Sequence, residues 1–537
     1  MEKVLLSGNE AFARGAYEAG ATVGVGYPGT PSTEILENFK SYPGVYTEWS
    51  INEKTAMEVG IGAALAGART IVTMKHVGLN VAADPLFTSA YIGVNAGLVI
   101  IVADDPDMHS SQNEQDSRHY AVAAKVPMLE PSDSQEAKEF ILKAFELSEM
   151  FDTPVLVRGI TRLSHGRSVA TLSNPLTPVK PSGFVKNPKK YVMIPVYARA
   201  RHVLVEKRLT ALAEYAETCK LNHEEINNNK IGIITSGICY QYVKDSLPPT
   251  VSILKLGMVN PLPRKLITAF CTKMEKVFIV EELDPVVEQQ IRAWGITNVV
   301  GKDMFPILGE YSPALVKQCV TGEKMPAKLQ VSINIPPRPP QLCPGCPHRS
   351  VFTVLHELGL TVSGDIGCYT LGVLPPFNAM DTCIEMGASI GVAQGIEIVE
   401  SRDKESGVVA VLGDSTFAHS GITGLVNAAY NKRHLLIIVL DNGTTAMTGL
   451  QPNPLSGTRI DGTETVAIDY HALGKAVGIG EGNVKIVGAY DMKTLKSVIQ
   501  SLLATKKLAL LVVKDPCMIL KRKHAKHKDI KDAGKTI

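Results

Sequence analysis

Eight short apolar runs constrain the fold of this chain more than any other feature. They fall at residues 70–74, 98–103, 154–158, 231–235, 277–281, 408–412, 435–440 and 508–513, and each is rich in Val, Ile or Leu. Longer stretches with helical spacing alternate with them. The runs are apolar throughout instead of alternating, which is the pattern of parallel strands covered by helices on both faces. Such repetition predicts an α/β architecture, built several times along the chain. The length, 537 residues, allows about three or four domains.

Two Pro- and Lys-bearing stretches, 174–195 and 333–347, cannot run through a helix interior or a central strand. They divide the chain into three expected parallel-sheet α/β domains, 1–180, 190–332 and 340–520, with a basic tail at 521–537. That tail reads first as a solvated terminus and second as a docking strip for an acidic partner. Formal net charge is +2, so no global field points to nucleic acid or to a membrane surface. No apolar run approaches the ~18 residues needed to span a bilayer. The opening residues lack the pattern of a signal peptide, so the expected location is cytoplasmic. Nine cysteines in such a chain do not read as a disulfide framework. Cys219, Cys239, Cys271, Cys319 and Cys383 are scattered and read as buried thiols.

The run at 408–412 ends in Gly413, Asp414 and Ser415, and the run at 435–440 ends in Asp441, Asn442, Gly443 and Thr444. Both turns should sit at the carboxyl ends of adjacent parallel strands, where α/β sheets place ligands. A diphosphate there would need a divalent ion, and Mg²⁺ takes octahedral oxygen ligands. Asp414 offers a carboxylate, Asn442 a side-chain carbonyl and Thr444 a backbone carbonyl. Gly413 allows close backbone approach. Two ordinary strand-end turns are the bland alternative. The spacing resembles the diphosphate-binding motif of thiamine-dependent enzymes, normally Gly-Asp-Gly followed by Asn-Asn. Ser415 and Asp441 depart from that pattern, and neither departure removes a ligand.

Near the N-terminus Asn52 and Glu53 open an Ala- and Gly-rich stretch. A helix-start Glu favoured by the dipole is the bland reading. The segment resembles the one in thiamine enzymes whose Glu bonds the cofactor's aminopyrimidine, and the resemblance gives that role to Glu53 over Glu58. That glutamate must reach the cofactor from another domain or another chain. Tyr27, Pro28, Gly29, Thr30 and Pro31 resemble the Tyr-Pro-x-Thr-Pro segment of 2-oxoacid:ferredoxin oxidoreductases. There the Thr hydroxyl faces substrate and cofactor, a role that falls on Thr30. Thr30 or Ser32 as a helix N-cap is the structural alternative.

Cys343 and Cys346 form a Cys-Pro-Gly-Cys turn, Cys368 follows, and Cys517 comes just after the last apolar run. A Cys-x-x-Cys alone suits redox chemistry or half a zinc site. Four thiolates suit a [4Fe–4S] cluster. Cys517 is the least secure of the four.

Over nearly its whole length the chain is similar to the indolepyruvate branch of the 2-oxoacid:ferredoxin oxidoreductases, in its alpha subunit. The resemblance rests on Lys75-His76-Val77-Gly78-Leu79-Asn80, Ala103-Asp104-Asp105-Pro106, His109-Ser110-Ser111-Gln112-Asn113-Glu114 and Asp441-Asn442-Gly443-Thr444-Thr445. It implies a pyrimidine-binding domain, a transketolase-C-like middle domain and a diphosphate-binding domain, two of the three being of thiamine diphosphate-binding type. It implies a cluster on Cys343, Cys346, Cys368 and Cys517, and oxidative decarboxylation of arylpyruvates to aryl-acetyl-CoA and CO₂, with CoA as co-substrate. Electrons would pass through the cluster to ferredoxin. His76, His109, His348 and His419 are possible acid/base helpers, each read first as structural. The family's C-terminal ferredoxin-like domain is not found before Ile537. The expected partners are therefore a ferredoxin-like acceptor and a smaller beta subunit, in a hetero-oligomer with alpha–alpha contact. A non-oxidative thiamine decarboxylase or carboligase is the alternative.

Overall fold

The computed structural model describes residues 2–178, 181, 183–323, 336, 338–400, 407–523 and 525. Of the two Pro-bearing stretches, residues 179, 180, 182, 333–335 and 337 lie outside the described residues, as do 524 and 526–537 of the basic tail. The chain forms two compact units, Met1–Val331 and Ser332–Ile537.

The first unit holds a seven-stranded sheet in the order Met258–Asn260, Met128–Leu129, Val155–Ile160, Leu98–Asp104, Thr70–Lys75, Val23–Gly26 and Tyr46–Trp49. All its pairings are parallel except that of Met258–Asn260 at the edge. A five-stranded sheet follows, ordered Val299–Val300, Lys276–Val280, Ile231–Ser236, Ser252–Leu256 and His223–Glu225, with only the last strand antiparallel. Met258–Asn260 follows Ser252–Leu256 in sequence but crosses to the first sheet. There the Asn260 Nδ2 donates to the Val126 carbonyl at 2.7 Å. One apolar cluster spans residues from both sheets, from Val25 and Ile100 to Ile234 and Val277. A small two-stranded antiparallel sheet pairs Lys3–Ser7 with Arg167–Thr171.

The second unit is one parallel sheet of six strands, ordered Thr382–Cys383, Thr361–Gly364, Val408–Gly413, Leu436–Asp441, Ala509–Lys514 and Val484–Val487. Its three central strands are buried along nearly their whole length. Separate apolar clusters flank the sheet, one around Phe352, Val411 and Ile438 and the other around Ile390, Phe417 and Ile437. Alternate residues of each strand therefore feed opposite layers.

All eight apolar runs are strands, each within two residues of the expected bounds, and the fold is α/β with parallel-rich sheets. Among the described residues no helix is long and apolar enough to cross a membrane.

Candidate functional site

In the second unit, four neighbouring strands end at the same edge of the sheet. Thr361–Gly364 leads into Asp365 and Cys368, Val408–Gly413 into Asp414, Leu436–Asp441 into Asn442, and Ala509–Lys514 into Asp515 and Cys517. Parallel strands deliver every one of these loops in the same direction.

Asp414 is fully buried, and Ser415 N–H donates to its Oδ1 at 2.7 Å. Its Oδ2 ends among protein atoms without a hydrogen-bond partner. Burial, reinforced by Asp441 nearby, lifts its carboxyl from 3.8 to about 7. The Asn453 amide faces it without closing a hydrogen bond, and Asn453 Nδ2 is itself unpartnered. An unmade buried hydrogen bond costs about 1–3 kcal/mol, so the oxygen is suited to a bound cation.

Asn442 is held on both sides. Its Nδ2 donates to His348 Nε2 at 3.2 Å, and its Oδ1 accepts from Thr444 N–H at 3.1 Å. Burial lowers His348 to about 4, so the ring is neutral and can accept that bond. Gly443 takes φ +75°, and the Thr444 hydroxyl donates to the Gln451 carbonyl at 3.1 Å, closing the turn. The Ser415 Oγ accepts from Thr445 Oγ1 at 2.9 Å, which ties the two strand-end loops together. Asp414 Oδ2, Asn442 Oδ1 and the Thr444 backbone form an oxygen-rich donor set that fits Mg²⁺ on a diphosphate.

Gly413 is needed for packing. A Cβ there would stand 2.6 Å from Tyr369 Cε1. The Tyr369 hydroxyl bonds the Ile366 carbonyl at 2.7 Å and Thr416 Oγ1 at 2.9 Å, so the ring is locked. Gly413→Ala should therefore displace Asp414 and weaken cofactor affinity by at least about tenfold, with a stability loss of about 1–3 kcal/mol from overpacking. Calorimetric titration and urea denaturation would measure the two effects.

The four cysteines gather beside this site. Cys343, Pro344, Gly345 and Cys346 form a turn closed by Cys346 N–H to the Cys343 carbonyl at 3.0 Å, with Gly345 at φ +74°. Tyr490 OH donates to the Gly345 carbonyl at 2.9 Å. Cys517 N–H donates to the Asn442 carbonyl at 3.0 Å, which joins its segment directly to the loop that carries Asn442. Burial pushes the Cys368 thiol to about 11, with Cys346, Cys517 and Cys343 adding to the effect, so the four sulfurs lie within electrostatic reach of one another. Iron would reverse that preference, because a coordinating thiol is deprotonated. Cys343 is exposed, and Cys346, Cys368 and Cys517 are half-buried. Among the described residues no three His, Cys, Asp or Glu side chains already stand at metal-binding distances. Cys219, Cys239, Cys271 and Cys319 are buried, while Cys383 is half-buried.

The first unit repeats the arrangement. Adjacent strands ending at Asp104, Lys75, Gly26 and Trp49 lead into Asp105, His76, Thr30 and Glu53. Asn52 caps the helix Glu53–Leu65, accepting from Thr55 N–H at 2.9 Å. Glu53 is buried, and a Cβ on Gly78 would stand 2.6 Å from its Oε1. Glu58 is exposed and paired with Lys54, an ordinary solvated pair. Thr30 is half-buried. Ser32 does not cap the next helix; its Oγ donates to the Gly29 carbonyl at 2.8 Å and folds the Thr30 loop back on itself. His76 is buried, His109 meets Glu310 at 3.3 Å, and His419 Nδ1 stands 2.6 Å from Ser420 Oγ.

Sequence reasoning missed Asp365, Tyr369 and Asn453. Asp365 is buried and accepts from the N–H groups of Ile366, Gly387 and Ser389 at 2.8, 2.7 and 3.0 Å. It organises the loop that carries Cys368. Gly367 and Gly413, which flank the Tyr369 ring, were the available signal.

The family model described as pyruvate flavodoxin/ferredoxin oxidoreductase, thiamine diP-bdg, matches residues 14–225, which include Thr30 and Glu53. The model described as thiamine pyrophosphate enzyme, C-terminal TPP binding domain, matches residues 365–513, which include Cys368, Asp414 and Asn442. Indolepyruvate oxidoreductase subunit IorA of Archaeoglobus fulgidus is 41% identical, over 97% of this chain and 87% of its own. The subunit of the same name from Thermococcus kodakarensis is also 41% identical, over 97% and 86%. Among solved structures, 2-oxoglutarate:ferredoxin oxidoreductase from Magnetococcus marinus overlaps 60% of this chain and 65% of its own at 15% identity and TM-score 0.49.

Proposed function

Because the chain belongs to the family of indolepyruvate oxidoreductase IorA (alpha) subunits, which are thiamine diphosphate enzymes, we propose that it oxidatively decarboxylates arylpyruvates to aryl-acetyl-CoA and CO₂. In this reading ferredoxin or a ferredoxin-like protein takes the electrons, and a smaller beta subunit completes the enzyme in a hetero-oligomer with alpha–alpha contact.

Thiamine diphosphate supplies the carbon nucleophile that makes loss of CO₂ from a 2-oxoacid feasible. The chain's own groups do the rest. Asp414, Asn442 and Thr444 would hold Mg²⁺ on the diphosphate, with Gly413 and Ser415 lining its approach. Glu53 would bond the aminopyrimidine nitrogen and favour its basic tautomer. Thr30 would present its hydroxyl to the substrate. Cys343, Cys346, Cys368 and Cys517 would hold a [4Fe–4S] cluster, which accepts electrons singly.

One observation favours this over a non-oxidative decarboxylase: the Cys517 N–H bond to the Asn442 carbonyl puts a cysteine of the quartet one hydrogen bond from the diphosphate loop. A decarboxylase has no use for four thiols there. Anaerobic purification followed by iron analysis tests the reading. About four irons per chain are expected, with viologen reduction that requires both an arylpyruvate and CoA. A colourless protein that releases aldehyde and CO₂ without an acceptor would establish the alternative instead.

A further inference from the structure

Lys75 is a buried cation without an anionic partner. It ends the strand Thr70–Lys75 and is only 7% exposed. No ion pair joins it to a carboxylate among the described residues, and its ammonium donates to a neutral group, the Ser110 carbonyl. Asp105 is the acid that acts on it electrostatically, but other groups occupy both its oxygens. Oδ2 accepts from Ser110 N–H at 2.8 Å and from Ser111 Oγ at 2.6 Å, and Oδ1 accepts from Thr161 Oγ1 at 2.6 Å. A lysine buried in this way is costly unless an anion compensates it.

Its surroundings say where that anion would sit. A Cβ on Gly29 would stand 3.0 Å from Lys75 Cβ, so the lysine stem runs along the loop that carries Thr30. Three residues on, Gly78 faces the Glu53 carboxyl. Ser110 lies in an exposed loop, and its carbonyl takes the ammonium's hydrogen bond. The neighbouring His76 is buried, its Nε2 stands 3.3 Å from the Asn113 carbonyl, and its Nδ1 has no partner. Burial lowers the His76 pKa, so the ring adds no competing positive charge.

We infer that Lys75 binds the carboxylate of the 2-oxoacid, placing its keto group beside Thr30 and the Glu53 end of the site. This rests on the proposed function for the identity of the substrate, but the anion site itself can be tested without turnover. Lys75 is a positioning residue in this role. Burial also brings its pKa from 10.5 to about 8, with Asp105 opposing the shift and His76 beside it. The charged form binds the anion, so affinity should hold below about pH 8 and fall above it.

The experiment uses the whole enzyme with its partner subunit. Calorimetric titration with 3-phenylpropionate, an unreactive aryl carboxylate, reads binding directly, and viologen assays read KM and kcat. Lys75→Met should weaken 3-phenylpropionate at least tenfold and raise the arylpyruvate KM by a similar factor. It should leave thiamine diphosphate affinity within a few-fold of the parent. Lys75→Arg should recover part of the affinity and lose the fall above pH 8. Equal binding by the parent and Lys75→Met, or no binding by the parent, would overturn the inference. Binding that depends on Lys75, in a parent that oxidises no arylpyruvate, would uphold the anion site and sink the functional reading instead.

Discussion

Asp414→Asn is expected to fold at least as well as the parent and to lose its hold on thiamine diphosphate. Both halves follow from one buried oxygen. Asp414 Oδ2 has no hydrogen-bond partner, and the carboxyl is lifted to about 7 by burial and by Asp441. A carboxylate whose folded-state pKa is raised destabilises the protein wherever it must ionise, that is, as pH climbs from its unfolded value towards the folded one. An amide of the same shape removes that charge. Without cofactor, the variant should gain on the order of 1 kcal/mol at neutral pH. With cofactor the order reverses. A ligand at a hundred times its Kd stabilises the folded state by about 2.7 kcal/mol. The parent should show that gain with Mg²⁺ and thiamine diphosphate, and the variant none of it. Turnover should fall on the order of 10²–10³-fold or more, as when a charge-stabilising group is lost. Thermal melts with and without the cofactor would show the two proteins exchanging places. Equal stabilisation of both by the cofactor would remove Asp414 from the site.

The parts of this architecture legible in the sequence are those encoded over short distances. Each of the eight apolar runs announces a buried parallel strand through its own residues. Asp414 and Asn442 were legible because a strand end, a turn and an oxygen-bearing side chain fall within a few positions. Val23–Gly26 was not, because two of its four residues are Gly. A Cβ at Gly24 would stand 2.7 Å from Phe39 Cδ1, so packing against the next helix and not strand propensity decides that segment. The hidden parts of the site are long-range. His348 meets Asn442 across 94 residues, and Tyr369 meets Thr416 across 47. Nothing local marks either pair. Cys343 and Cys346 were legible as a turn, but their nearness to Cys368 and Cys517 exists only once four strands lie side by side.

Buried charged residues outside the strands were the least legible, since in sequence they look solvated. Arg118 is the clearest case and carries the second large effect. It is 1% exposed. Its Nε and Nη2 donate to the Asp116 carboxylate at 2.9 and 2.6 Å, its Nη1 to Glu281 at 2.5 Å, and its Nη2 also to the Glu282 and Asp284 carbonyls at 3.0 and 2.9 Å. One guanidinium thus joins the segment after Leu98–Asp104 to the end of Lys276–Val280 in the other sheet. Burial alone would raise the Asp116 carboxyl, but Arg118 and Arg158 outweigh it and hold it well below the usual range. At Glu281 burial prevails over Arg118 and the pKa stays raised. Arg118→Met would strand Glu281 and leave Asp116 only Arg158, 3.8 Å away, at a cost of about 3–5 kcal/mol. Lysine should not rescue it, because one ammonium cannot reproduce the planar fork. In the variant the Glu281 carboxyl would rise further and Asp116 would lose most of its stabilisation, so the deficit should be largest at neutral pH. It should shrink as pH falls towards the unfolded carboxyl value of about 4, where both states carry the proton. Adding Asp116→Asn and Glu281→Gln should return part of the loss at pH 7, since no stranded charge remains. Urea denaturation across this pH range checks all three expectations. A loss below about 1 kcal/mol, the size of an exposed pair, would mean that water reaches this network. The same segment carries Ser110 to Lys75, so loosening it should also weaken aryl carboxylate binding, although Arg118 has no hydrogen bond to Lys75 or Ser110.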